Sequence, residues 1–361
     1  MKIIQSYIPW RNPNKILLGR DYIYTMMLSS LLLKKNYGNV ELYTNSIQKK
    51  FLDNFNFPYT YNTNVLESDK ADVFAITKLK AMLHQTEEFI HFDLDSFMLS
   101  LPNLTKRKSP FIFSHNDVAS LITDVNKLDR FEEKVGSVSF LGIYNTYLKF
   151  YLKNIQILET IEDFPHDFIK YDEIPNMNFI YVKDVSTFSE AIKKSINVYS
   201  HIKTDINSEW IGSAFIEQFT LPLYLKKLSK EYLDNIEEST LFGNSPVSLS
   251  DNYFKGNDYC SKCNNLHDVD EKFRLYNSDF DFNLFSYFHI GGIKFNDVIQ
   301  FLVIRTLINN FGKDVVMDIH KKYIEFSLIN KTTNELTPGE RLYEKYAGEY
   351  IFTNMNKKSI F

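Results

Sequence analysis

FIHFDLDSF, residues 89–97, decides how the rest of the chain is read. Four apolar or aromatic-flanked residues run directly into Asp93-Leu94-Asp95. A short apolar run of this kind reads as a strand buried on both faces. Side chains two apart on a strand share a side, and where the strand ends both carboxylates can turn toward one point. Two adjacent carboxylates repel each other unless a cation lies between them. Hard oxygen ligands of this type suit Mg or Mn, with substrate phosphates completing the shell. The same three residues also read as an ordinary solvated turn, and the apolar strand before them is what favours the site.

Outward from this segment the pattern alternates. KIIQSYIP (2–9) and VELYTN (40–45) read as strands, and FPYTYN (57–62) as a short extended piece. Asp21 opens a helix that runs to about Asn36, with Gly38 as its stop. SIQKKFLDNF is helical, and Asp69 or Asp72 opens another helix through Gln85. Strands alternating with helices imply βαβ units and a mainly parallel, Rossmann-like α/β sheet, whose ligands sit at the carboxyl ends of the strands. Beyond Asp95, residues 109–115 and 175–184 read as strands, and 188–199 and 211–227 as helices. The stretches 295–310, 314–329 and 338–346 form a helical C-terminal extension. The organisation expected is one catalytic domain over residues 1–296 and an extension over 297–361 packed on it.

Composition narrows the function. The chain has 361 residues, 44% hydrophobic and 16% aromatic, enough for a large core and too apolar for a disordered chain. Its 41 Lys and Arg against 45 Asp and Glu give a net charge of -4, so nonspecific nucleic-acid binding is not expected. The longest apolar runs, Met26 to Leu33 and Phe301 to Ile304, fall far short of the roughly 20 residues that span a bilayer. The N-terminus reads as a first strand rather than a signal peptide, and the expected location is the cytoplasm. Two cysteines cannot make a disulfide framework. Cys260-x-x-Cys263 with His267 nearby has half of a zinc-site spacing, so a structural Zn competes with plain loop cysteines and a redox pair. P-loop, G-x-S-x-G and G-x-G-x-x-G motifs are absent, which disfavours P-loop hydrolysis, α/β-hydrolase chemistry and Rossmann dehydrogenation.

Four motifs in order carry a resemblance. ITKLKAMLHQTEEFIHFDLD holds a T-K-L segment with Lys78 fifteen residues before Asp93. PNMNFIYV, with Asn176, then Glu217-Gln218, then HIGGIKFN (289–296) follow. Together they resemble the glycogenin-like glycosyltransferases of family 8, which have a GT-A fold. Asn178 stands where that family has Gly, Glu217 where it has Asp, and Phe295-Asn296 where it has Pro-Trp. The resemblance implies a distant hexosyltransferase-like enzyme that moves a sugar from a nucleotide-diphospho-sugar, with retention, to an acceptor such as a glycan, a lipid-linked glycan or a protein. It implies Mn2+ or Mg2+ on Asp93, Asp95 and His289. Donor contacts would come from Ser6, Tyr7, Lys78, Asp93, Gly292 and Lys294, and catalytic contacts from Asn176, Glu217 and Gln218. FDLD also resembles the nucleophile loop of haloacid-dehalogenase phosphatases, with Asp93 as nucleophile, and the metal motif of Y-family polymerases. A GT-A-like binding protein without turnover is the remaining alternative.

Overall fold

The computed structural model describes residues 1–8, 20–67, 74–99, 104, 108–114, 116–118, 147–148, 150–167, 173–202, 212, 215–229, 234–235, 247–248, 259–260, 265–266, 287–290 and 297–329. Strand β1 (Lys2–Ser6) leads to helix α1 (Arg20–Tyr37), then β2 (Val40–Tyr43), α2 (Ser46–Leu52) and β3 (Tyr59–Asn62). Helix α3 (Phe74–Leu83) precedes β4 (Phe89–Phe92) and β5 (Ser96–Met98). Short strands β6 (Phe111–Phe113), β7 (Asn116–Val118) and β8 (Glu173–Pro175) lead to β9 (Phe179–Val182) and α4 (Val185–His201). A π-helical turn, Phe215–Thr220, runs into α5 (Leu221–Ser229). Strands β10 (Asp234–Asn235), β11 (Val247–Ser248), β12 (Tyr259–Cys260), β13 (Asn265–Leu266) and β14 (Tyr287–His289) follow, and then helices α6 (Asp297–Phe311) and α7 (Lys313–Ile329).

Among the described residues, seven strands form the main sheet, in the order β10-β6-β9-β4-β1-β2-β3. Strands β1 to β4 run parallel to one another, and among the described residues only β9 runs against its neighbours β4 and β6. This is a mainly parallel, Rossmann-like α/β sheet. A second sheet, β11-β14-β5, takes in β5, which follows β4 after a short turn. Register there pairs His289 with Ser96 and Phe288 with Phe97.

Helices cover both faces of the main sheet, so its strands carry apolar residues at successive positions. Ile3, Ile90, Phe92, Phe179 and Ile112 point into a core shared with α1, α6 and α7. Ile4, Phe89, Ile180, Val182, Phe111 and Phe113 point into the opposite core, shared with α3, α4 and α5. Leu302, Val303, Leu307, Val316 and Ile319 place the two C-terminal helices in the first of these cores.

Local chemistry sets the helix ends. Asn45 caps α2 by accepting from the Gln48 amide at 2.8 Å, and Asp184 caps α4 by accepting from the Thr187 amide at 3.0 Å. Gly38, at φ +89°, ends α1 in the left-handed conformation that a Cβ disfavours. Its amide bonds the Lys34 carbonyl at 2.9 Å. The reading of 211–227 as one helix is refined by the π-helical turn before α5. Residues 338–346 lie outside the described residues. Among the described residues no helix is long and apolar enough to cross a membrane.

Candidate active site at the ends of β4 and β14

The turn after β4 is held on every side. Gln5 of β1 donates to the Asp93 carbonyl at 3.1 Å and to Ser29 Oγ of α1 at 2.9 Å. The Asp93 amide donates to the Asn178 carbonyl at 2.8 Å, and the Ser96 amide to the Asp93 carbonyl at 3.1 Å. The Ile290 amide reaches the Asp95 carbonyl at 3.2 Å. Four residues, Gln5, Asn178, Ser96 and Ile290, thus hold the backbone at Asp93 and Asp95.

Those carboxylates converge with an imidazole. Asp93, Asp95 and His289 each present one ligand atom, and all lie within 4.8 Å of one another. His289 Nε2 is 3.4 Å from Asp95 Oδ1. The ring arrives because β14 pairs antiparallel with β5, directly after the turn. Two hard oxygen ligands and one nitrogen ligand, partly shielded from water, could hold a divalent cation.

Beneath this group lies a buried charge cluster. Lys78 of α3 places its Nζ 2.6 Å from Asp93 Oδ1 and donates to the Met177 carbonyl at 2.7 Å. It also pairs with Glu217 Oε1. Glu217 sits in the π-helical turn and is 1% exposed. Burial pushes its carboxyl up to about 7, with the Lys78 charge opposing that rise. Lys78 is pushed up as well: burial works against its charge, and Asp93 and Glu217 outweigh it. The two shifts do not mirror each other, because the ammonium has two carboxylates and a carbonyl whereas Glu217 has one cation. Lys78 therefore bridges Asp93, just past the end of β4, and Glu217 on the π-helical turn.

His91, two residues before Asp93 on the same side of β4, completes the floor. Its Nε2 lies 3.2 Å from Ser6 Oγ and its Nδ1 4.0 Å from Asp93 Oδ1. Nδ1 has no hydrogen-bond partner among the described residues. Burial, and then the Lys78 charge, hold this imidazole well below its usual range, so it is neutral. The Tyr7 and Tyr22 rings pack 6.0 Å apart at the end of β1. Burial, then Asp95 and Asp93, raise the Tyr22 hydroxyl well above its usual range.

The other expected site residues fall into two groups. Asn176 is buried, and its Oδ1 accepts from the Asn178 amide at 3.0 Å, closing the turn before β9. Gln218 accepts from the Tyr147 hydroxyl at 2.6 Å. Ser6 faces His91, and the Tyr7 carbonyl accepts from Thr44 Oγ1 at 2.7 Å. Gly292 and Lys294 lie outside the described residues, as do Cys263 and His267 and the side chain of Cys260. Sequence reasoning missed His91, Tyr287 and Tyr22, and marked Asn178 only as a departure from the family pattern. His91 had a signal in its spacing of two from Asp93; Tyr22 and Tyr287 had none, because only the fold brings them here.

Comparison with known proteins adds little to this geometry. Residues 1–125 match a family described as "Family of unknown function (DUF6734)". No curated protein matches. Among solved structures, an active-site mutant of LgtC is similar to this chain with a TM-score of 0.35 and 6% identity, over 81% of this chain and 88% of that one. Similarity at that level leaves the chemistry of the site to its own residues.

Proposed function

We propose that the chain is a metal-dependent glycosyltransferase that takes a nucleotide-diphospho-sugar as donor and retains the anomeric configuration. The observation that carries this reading is the convergence of Asp93, Asp95 and His289 at the carboxyl end of β4. In this reading the three side chains hold Mn2+ or Mg2+. When bound, such a cation supplies charge neutralisation at the departing diphosphate, a contribution of several kcal/mol.

The chain's own residues do the rest. Lys78 holds Asp93 against the floor of the crevice, so its carboxylate keeps one orientation. Tyr7 and Tyr22 wall the side where a nucleobase would lie. Glu217 and Gln218 stand on the π-helical turn, a device found often at functional sites. Lys294 and Gly292 keep the diphosphate role that the resemblance implies, and Asn176 a place beside the sugar. We further propose that residues 1–296 form the transferase domain and 297–361 an extension seated through α6 and α7. A dehalogenase-type phosphatase gives His289 no role, and its position against Asp95 favours the transferase.

The test is thermal stability with nucleotide diphosphates, with and without metal. UDP or GDP with Mn2+ at 100 times its dissociation constant adds about 2.7 kcal/mol. EDTA removes that gain. Equal gains with and without EDTA sink the metal reading. Turnover of UDP- or GDP-hexoses, followed by NMR of the anomeric proton in the product, then decides between transfer with retention and phosphate release.

A further inference from the structure

Asn178 stands between the imidazole of His289 and a buried hydroxyl pair. Its Nδ2 lies 2.7 Å from His289 Nδ1. Its Oδ1 accepts from the Tyr287 hydroxyl at 2.8 Å. The Tyr287 oxygen is also 3.1 Å from Ser96 Oγ, which in turn donates to the Asn178 carbonyl at 3.3 Å. Asn178, Tyr287 and Ser96 are all buried, so water does not reach in to replace a missing partner.

The two ends of a carboxamide have opposite hydrogen-bonding character: Nδ2 only donates and Oδ1 only accepts. With Nδ2 facing His289, the Nδ1 atom must present its lone pair. A neutral ring then carries its proton on Nε2, the atom 3.4 Å from Asp95 Oδ1. That arrangement lets His289 donate to Asp95, and it closes Nε2 to a cation. An imidazole that ligates through Nε2 instead carries Nδ1–H, which must find an acceptor. Turning the Asn178 amide over supplies that acceptor. Oδ1 then takes the Nδ1–H, and Nδ2 donates to the Tyr287 oxygen. The Tyr287 hydroxyl, released from Oδ1, donates to Ser96 Oγ. Each buried group is paired in both arrangements, because the hydroxyls can donate or accept. The proton count is unchanged, since the ring gives up one proton at Nε2 and takes one at Nδ1.

We propose that Asn178 is the positioning residue of the cation site, turned one way in the cation-free protein and the other way when a divalent cation is bound. This deepens the metal-site reading and rests on it. Asn178 then sets both the direction and the tautomer of His289, and the Tyr287-Ser96 pair makes the reversal cheap.

Nitrogen-15 NMR of His289 in the full-length protein reads the tautomer directly. In the cation-free protein at pH 8, Nε2 is protonated and Nδ1 is not; saturating Mg2+, which is diamagnetic, reverses the pair. A cation-free ring protonated on Nδ1 overturns the proposal. Manganese titration followed by electron paramagnetic resonance gives the second arm. Asn178→Leu weakens Mn2+ binding roughly 10–100-fold, the scale for losing the partner that orients a ligand. Asn178→Asp, which can only accept, binds at least as tightly as the unsubstituted protein and shows Nδ1–H before any metal is added. Should Asn178→Leu fold and bind Mn2+ as the unsubstituted protein does, the proposal falls. Absence of Mn2+ binding in the unsubstituted protein, with the Nε2–H tautomer unmoved by Mg2+, overturns the metal site itself and the switch with it, a result distinct from failure of the Asn178 arm alone.

Discussion

His289 Nε2 stands 3.4 Å from Asp95 Oδ1, although Asp95 lies in the turn between β4 and β5 and His289 ends β14, far along the chain. The pairing of β14 with β5 makes this contact, and β5 begins at Ser96, the residue after Asp95. Any rearrangement that slips β14 by one residue turns His289 to the opposite side of its strand. The site therefore depends on strand register as much as on ligand identity.

Asp95→Asn separates ligation from folding. The amide keeps the shape and loses the anionic ligand. Turnover of a nucleotide sugar falls roughly a hundredfold or more, for a loss of about 3 kcal/mol of charge stabilisation. Calorimetry of the metal-free variant shows a melting temperature close to that of the parent. Unchanged turnover in Asp95→Asn removes this residue from the site.

Stability depends on pH through Glu217. The unfolded carboxyl loses its proton near 4.5, and the folded one holds it to about 7. Between those values the folded chain binds more protons than the unfolded chain. This contribution is therefore fully present below 4.5 and is lost as pH rises through 7. Its size is on the order of 3 kcal/mol. Urea denaturation at a series of pH values measures the decline, and Glu217→Gln flattens it. An identical slope in the variant assigns the pH dependence to other groups.

Lys78→Met leaves Asp93 and Glu217 without their shared cation. Removing one partner of a buried ion pair costs roughly 3–5 kcal/mol. Adding Glu217→Gln to Lys78→Met recovers part of this, because the uncompensated charge goes with the carboxyl. Chemical denaturation of the two single variants and the double variant gives the coupling between them. Additive losses contradict the pairing.

Gly38→Ala tests the end of α1. No atom lies within 4 Å of an added Cβ, so sterics against neighbours are absent and only the positive φ opposes the substitution. The expected loss is about 1 kcal/mol, and Gly38→Asn loses less, since Asn tolerates the left-handed region. Thermal denaturation of the two variants ranks them.

The sequence by itself determined the alternation of strands and helices, the stop at Gly38 and the strand that ends in Asp93-Leu94-Asp95. These are local matters: apolar period, caps and turn chemistry act over a few residues, and they are written in consecutive letters. It also marked Asp93, Asp95 and His289 as one group by resemblance, and the fold brings their ligand atoms together. It read Lys78 as a donor contact; the structure adds that this ammonium sits between Asp93, Glu217 and the Met177 carbonyl. Only the tertiary structure could decide that. A lysine on a helix carries no local sign of which carboxylates another element will bring to it, and burial is what makes such pairing obligatory. The same holds for Asn178 and Tyr287, whose hydrogen bonds join β14 to the turn before β9. Their roles come from closing a buried network across strands distant in sequence, where each unpaired group would cost stability.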